Sequence, residues 1–108
     1  MEEIHHTQKK DAPSGTAVTL AEGILAHYPN KERWVNHATE QPDELGIVSQ
    51  RIDPAPGTHS ITYRHVIDEI TLTHTAHSRI GFASGALAAA EFLHDKKGVF
   101  TMKEVLGL

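Results

Sequence analysis

The 108-residue chain has no cysteine, which excludes a disulfide framework, cysteine-ligated zinc and thiol chemistry. That absence fits a cytoplasmic protein. No basic excess is present either: net charge is −4 with His neutral and the pI is about 6.1. A nucleic-acid or anionic-membrane surface would want the opposite balance. No apolar run approaches the roughly 18 residues of a membrane span, and the polar, charged N-terminus is not a signal peptide. The chain contains no Gly-x-Gly-x-x-Gly and no strand–glycine–helix phosphate loop, so it is not expected to bind a nucleotide cofactor by itself. There is no His-Glu-x-x-His, no internal repeat and no low-complexity segment.

What remains is an ordinary globular composition, 39% hydrophobic and 22% charged, of a length for one domain or part of one. Such a domain buries a real core with a small margin of stability. The unusual count is nine histidines, whose unperturbed pKa lies nearest neutrality.

Met1–His6 reads as the end of a strand whose beginning is missing, with His5 and His6 on opposite faces. Pro13 pushes Ala12 out of the α region. Ser14 and Thr16 are candidate N-caps for a helix from about Gly15 to Tyr28, with Ala17, Leu20, Ala21, Ile24 and Tyr28 on one face. Pro29-Asn30 ends it. Trp34-Val35 and Ile47–Arg51 are possible short strands around a polar loop at Ala38–Asp43. Asp53-Pro54-Ala55-Pro56-Gly57 is a turn. Thr58–Ile67 and Ile70–Ala76 form an expected antiparallel hairpin across Asp68-Glu69. In it Ile70, Leu72, His74 and Ala76 share a buried face, and Thr71, Thr73 and Thr75 share the other. Ala83–His94 is an alanine-rich helix, apolar nearly all round and so expected to be buried on more than one side. Lys96-Lys97-Gly98 ends it. Thr101-Met102-Lys103-Glu104 is a capping box opening a last helix, Met102–Leu106. The fold class expected is α+β, a mixed or antiparallel sheet with helices packed on one face.

His5–Ala17 concentrates the chemistry. Ser14, Gly15 and Thr16 offer two hydroxyls and free amides at a helix N-terminus, which suits a carboxylate. Gly15 permits close approach to the backbone. Lys9 adds a positive charge, and a histidine beside it can give or take a proton near neutral pH. A helix start of this kind taken alone more often only starts a helix; the histidines, lysines and cap in this order favour a site. A metal site joining His5 or His6 to His37, His59, His65, His74 or His77 lacks the spacings of zinc sites, and none is expected. His74, alternating with Ile70 and Leu72, reads as a core or interface histidine. Arg79, near a strand end, has the fork for a carboxylate but could equally be a surface arginine pairing with Asp68 or Glu69.

The run His5-His6-Thr7-Gln8-Lys9-Lys10-Asp11-Ala12-Pro13-Ser14-Gly15-Thr16-Ala17 closely resembles the signature of the dihydrodipicolinate (4-hydroxy-tetrahydrodipicolinate) reductase family of bacterial lysine and diaminopimelate synthesis. The resemblance continues through Arg51, Gly57-Thr58-His59, Glu69-Ile70, His74, Ser78-Arg79, Phe82-Ala83, Gly85-Ala86 and Gly98-Val99-Phe100-Thr101-Met102, and so covers essentially the whole chain.

That resemblance implies the C-terminal half of a two-domain enzyme. The Rossmann half that holds NADH or NADPH, and the opening strand of the substrate domain, lie outside this chain. It implies that residues 1–79 form a substrate-binding and tetramerisation domain, and that residues 80–108 form a helical segment that packs on the Rossmann domain. His5 would be the general acid/base that protonates the substrate carbon next to the one receiving hydride. Lys9 would be a second proton donor and carboxylate partner. His6 would contact substrate; Ser14, Gly15 and Thr16 would hold a carboxylate; Arg79 would support the pocket. The expected partners are a cyclic dicarboxylate and further copies of the chain, in a homotetramer, with no nucleic acid, membrane or metal. The chain alone is expected to be inactive, and to oligomerise, swap its alanine-rich helix or fold it back. The competing expectation is a non-catalytic anion-binding or assembly module on the same fold.

Overall fold

The computed structural model describes residues 1–108, in two units, Met1–His77 and Ser78–Leu108. In the first unit, β1 (Glu2–His5) leads through a polar loop into α1 (Gly15–Leu25). Two three-residue strands follow, β2 (Arg33–Val35) and β3 (Glu44–Gly46), then β4 (Val48–Arg51) and the long hairpin β5 (Gly57–Arg64) and β6 (Glu69–Ala76). The main sheet has the order β4-β1-β5-β6. β1 runs parallel to β4 and antiparallel to β5, and the hairpin is antiparallel. β2 and β3 form a separate parallel pair. The class is α+β with a mixed sheet, as the residue patterns predict.

Register decides which side chains share a face. Glu3 stands opposite Ser49 on one side and His59 on the other, and His5 stands opposite Arg51. His59, Ile61 and Tyr63 stand opposite His74, Leu72 and Ile70. All of these fall on the face over which α1 lies, because strand side chains alternate. The opposite face of the hairpin is a hydroxyl ladder, Ser60 to Thr73 at 2.8 Å and Thr62 to Thr71 at 3.2 Å.

The helix α1 is capped by Ser14, whose Oγ accepts the N–H of Ala17 at 3.2 Å. Its small residues Ala17 and Ala21 are wholly buried with Ile47, and Met1, Trp34 and Leu45 pack around them. Alanine at both positions lets the helix backbone approach closely. Gly46 is needed for packing too, since a Cβ there would meet the His37 carbonyl at 2.8 Å. The helix stops three residues short of the expected Tyr28. The His27 N–H bonds back to the Ile24 carbonyl and its Nδ1 lies 2.9 Å from the Gly23 carbonyl, a tightened last turn before Pro29.

In the second unit, α2 (Ile80–Leu93) and α3 (Met102–Leu106) are joined by a turn with Asp95 and Gly98 at positive φ. The Phe92 ring meets Phe100 edge-on with centroids 5.5 Å apart, and Lys96 Nζ sits 4.3 Å from the Phe92 centroid. α3 carries the expected capping box, with Glu104 accepting the Thr101 N–H at 2.6 Å, and ends at Gly107 in the left-handed region.

Two apolar surfaces are left uncovered within this chain. The apolar side of β6 is not covered: Ile70 and Leu72 are 61% and 60% exposed, and His74 is exposed too, so it is no core histidine. β6 is the edge strand; the contacts on the α1 side fall on β5, where Ser14 meets His59 and the Tyr28 ring, just past the helix, lies 6.5 Å from that of Tyr63. Likewise no residue of α2 is buried, although its sequence is apolar on every side. No residue pattern marks β3; it is held by parallel pairing with β2.

Candidate active site

β1 delivers Glu3 and His5 to the face beneath the N-terminus of α1. Glu3 is fully buried. Both of its oxygens accept the Ser14 N–H, at 3.0 and 3.1 Å, and the Arg51 guanidinium lies 3.4 Å from Oε1. Burial alone would push the carboxyl up, but hydrogen bonding from Ser14 holds it below the usual range. His5 Nδ1 and His59 Nε2 each lie 3.6 Å from Glu3 Oε2, and the two rings meet edge-on at 5.0 Å. His59 Nε2 also lies 3.1 Å from Ser14 Oγ. Burial lowers the pKa of both histidines, with Glu3 opposing the shift. Near neutral pH both are therefore mainly uncharged, so His5 can accept a proton directly but must take one up before it can donate one.

The loop after β1 holds the rest. The Ile52 N–H bonds to the His5 carbonyl at 2.8 Å. Asp53 accepts the Thr7 N–H at 2.9 Å and the Thr7 hydroxyl at 2.7 Å. Arg51 donates to the Asp11 carbonyl. These ties fix the path of residues 6–13. Lys9 is partly exposed and pairs with Asp11 at 2.8 Å, which lowers the Asp11 pKa. His6 is half-buried just beyond the strand.

Ser14, Gly15 and Thr16 sit at the helix start, as expected, but they divide the work. Ser14 is buried, with its N–H given to Glu3 and its Oγ accepting the Ala17 N–H and lying against His59 Nε2. Gly15 and Thr16 are exposed, and their N–H groups are first-turn donors without a helical acceptor. A Cβ on Gly15 would meet nothing within 4 Å, so this chain's own packing does not demand glycine there. His5, His6, Lys9, Ser14, Gly15 and Thr16 thus all lie in one short stretch around the β1–α1 connection. Arg79 belongs to the second unit, exposed at the N-cap position of α2. In the first unit Glu69 binds Arg64 at 2.6 Å.

Glu3, His5 and His59 place three possible metal donors within 4.8 Å of one another. The carboxylate is already bonded to the Ser14 N–H and flanked by Arg51. A cation would have to displace these contacts, so the cluster reads as a hydrogen-bonded network.

The family model described as "Dihydrodipicolinate reductase, C-terminus" matches residues 1–106. The chain belongs to the dihydrodipicolinate reductase family. It is 53% identical over 106 residues to a 4-hydroxy-tetrahydrodipicolinate reductase of Christiangramia forsetii, covering 98% of this chain and 44% of that protein. It is 43% identical over 111 residues to the namesake from Aquifex aeolicus, covering 98% and 42%. The fold is similar to a solved structure from Paenisporosarcina sp., described as a dipicolinate-bound dihydrodipicolinate reductase. That match has a TM-score of 0.63 and 27% identity, and covers 99% of this chain and 39% of that one. The chain therefore spans less than half the length of the reductases it matches.

Two residues at the centre of the cluster were not expected to act there. Glu3 had a usable signal: it precedes His5 by two positions on a strand, so both point to one face. His59 stands in the sequence among the histidines and in the Gly57-Thr58-His59 run of the resemblance, and pairing between β1 and β5 places it beside Glu3.

Proposed function

We propose that this chain is the substrate-binding part of a 4-hydroxy-tetrahydrodipicolinate reductase in lysine and diaminopimelate synthesis, acting in the cytoplasm. The observation that carries the reading is the β1–α1 connection. It sets a buried, uncharged histidine beside a lysine and a helix N-terminus with free amides. One carboxylate of a cyclic dicarboxylate would sit on the Gly15 and Thr16 N–H groups with the Thr16 hydroxyl, where the helix end favours negative charge. Lys9 would leave Asp11 to meet ligand charge and donate a proton. His5, once it has taken up a proton, would protonate the ring carbon, and His6 would contact the ligand from the strand end. Ser14 frames the cradle rather than binding through a free donor of its own. Arg79 would offer the substrate a guanidinium fork suited to a carboxylate.

The elements of this chain do not fit a dinucleotide. Neither Ser14-Gly15-Thr16 nor Arg79-Ile80-Gly81 forms a glycine-rich turn between a strand and a helix of a parallel βαβ unit. NADH or NADPH would be bound by another region of the enzyme, and this chain by itself would be inactive. The uncovered apolar residues on β5 and β6 support assembly into a homo-oligomer, a tetramer in the whole enzyme.

Calorimetry with pyridine-2,6-dicarboxylate tests the site. The chain should bind it, and Lys9→Ala combined with Thr16→Val should abolish binding. Equal affinity in the two proteins would sink the assignment.

A further inference from the structure

We infer that Glu3 is the positioning residue for His5: its buried carboxylate holds the imidazole with Nδ1 inward and ties it rigidly to the helix start that cradles the ligand. The inference rests on the reading of His5 as the proton-transfer group and adds the residue through which that group is oriented.

Four observations carry it. His5 Nδ1 is buried and has no hydrogen-bond partner, an expensive condition for a polar atom unless an acceptor is at hand. The acceptor at hand is Glu3 Oε2 at 3.6 Å, longer than a hydrogen bond but close enough for charge to act. The other claimant on that oxygen, His59 Nε2, also at 3.6 Å, has Ser14 Oγ at 3.1 Å as an alternative, which leaves the carboxylate to His5. Finally, the same carboxylate takes the Ser14 N–H through both oxygens, so acid and cradle share one fixed point two residues away on β1. An Nδ1–H directed at Glu3 leaves Nε2 as the nitrogen for the ligand, in the way that a carboxylate selects a histidine tautomer elsewhere. The charged groups around His5 are Glu3 on β1, His59 on β5, Arg51 on β4 and Lys9 in the loop. Of these only Glu3 is negative, so only Glu3 can stabilise the protonated ring.

The test is nitrogen-15 NMR of the histidine side chains in the 108-residue chain, titrated with pH. In the wild type His5 should be the Nδ1–H tautomer. In Glu3→Gln it should become a mixture, and its titration midpoint should fall by about one pH unit, as expected when an opposite charge is removed at this range. His6 should be unchanged. A glutamate that only caps α1 would leave the His5 tautomer and midpoint where they were, and that result overturns the proposal. If Glu3→Gln does not fold, the wild-type spectrum still decides: an Nε2–H tautomer at His5 refutes it. Adding pyridine-2,6-dicarboxylate separates the two claims. Absence of any ligand-induced change at His5 counts against the functional reading, while the tautomer result stands independently.

Discussion

The Glu3 carboxylate receives the backbone N–H of Ser14 through both oxygens, at 3.0 and 3.1 Å. This contact joins the centre strand of the sheet to the first turn of α1. It places a full negative charge beneath a helix N-terminus, where charge is favoured, and from there the same carboxylate reaches two histidines.

Ser14 should therefore resist a substitution that ordinary capping rules allow. Ser14→Ala removes the bond to Ala17 and the contact with His59, and should cost about 1–2 kcal/mol. Aspartate is normally as good a cap as serine. Here it would bring a second carboxylate against buried Glu3, so Ser14→Asp should be less stable than Ser14→Ala. Urea unfolding of the three proteins gives the order, and an aspartate variant as stable as wild type would contradict the geometry.

Acid should destabilise the fold earlier than carboxylate titration alone would. Burial holds His5 and His59 below their ordinary value of 6.5. Between the folded and unfolded pKa the unfolded chain binds more protons, so stability falls as pH drops below that value. Glu3 adds a loss of the same sign at lower pH, because its folded pKa lies below 4.5 and its contribution disappears as pH falls through it. Thermal melting followed from about pH 7.5 to about pH 5.5 should show a falling midpoint, and His59→Gln should flatten the slope. A midpoint that rises on acidification would mean that these histidines are not buried neutral.

Gly15 separates folding from binding. The space around its Cα is open and it lies inside the first turn of α1. Gly15→Ala should leave the fold unchanged or stabilise it by up to about 1 kcal/mol. The added methyl group would stand where the ligand carboxylate approaches the amides, so affinity for pyridine-2,6-dicarboxylate should drop at least several-fold. Paired melting and calorimetry make the comparison, and unchanged affinity would remove Gly15 from the site.

Self-association should depend on the hairpin. Ile70 and Leu72 are cross-strand partners of Tyr63 and Ile61, and the β6 pair is mostly exposed. Ile70→Lys with Leu72→Lys should lower the mass seen by light scattering while the far-ultraviolet circular dichroism is retained. If the chain runs at one mass with and without the lysines, this face is not the one used.

Local chemistry was legible in the residues. Ser14 as cap, the Thr101–Glu104 capping box, the Asp53–Gly57 turn and the threonine alternation of β6 each depend on neighbours within a few positions, and each is found. The cationic run from His5 to Thr16 is contiguous, so its membership could also be read directly. Burial could not, because it is a property of what lies opposite: the alternation of β6 says which side chains share a face, and only the sheet order says that nothing in this unit covers them. The central network is of the same kind. Arg51 and His59 are far from His5 in sequence, and only parallel pairing of β1 with β4 and antiparallel pairing with β5 bring them to Glu3 and His5. The sequence by itself determined which groups could do the chemistry and, through strand alternation, put Glu3 on the face of His5; the tertiary structure decided which second histidine and which arginine surround the acid, because strand register sets those neighbours and no short-range pattern encodes it.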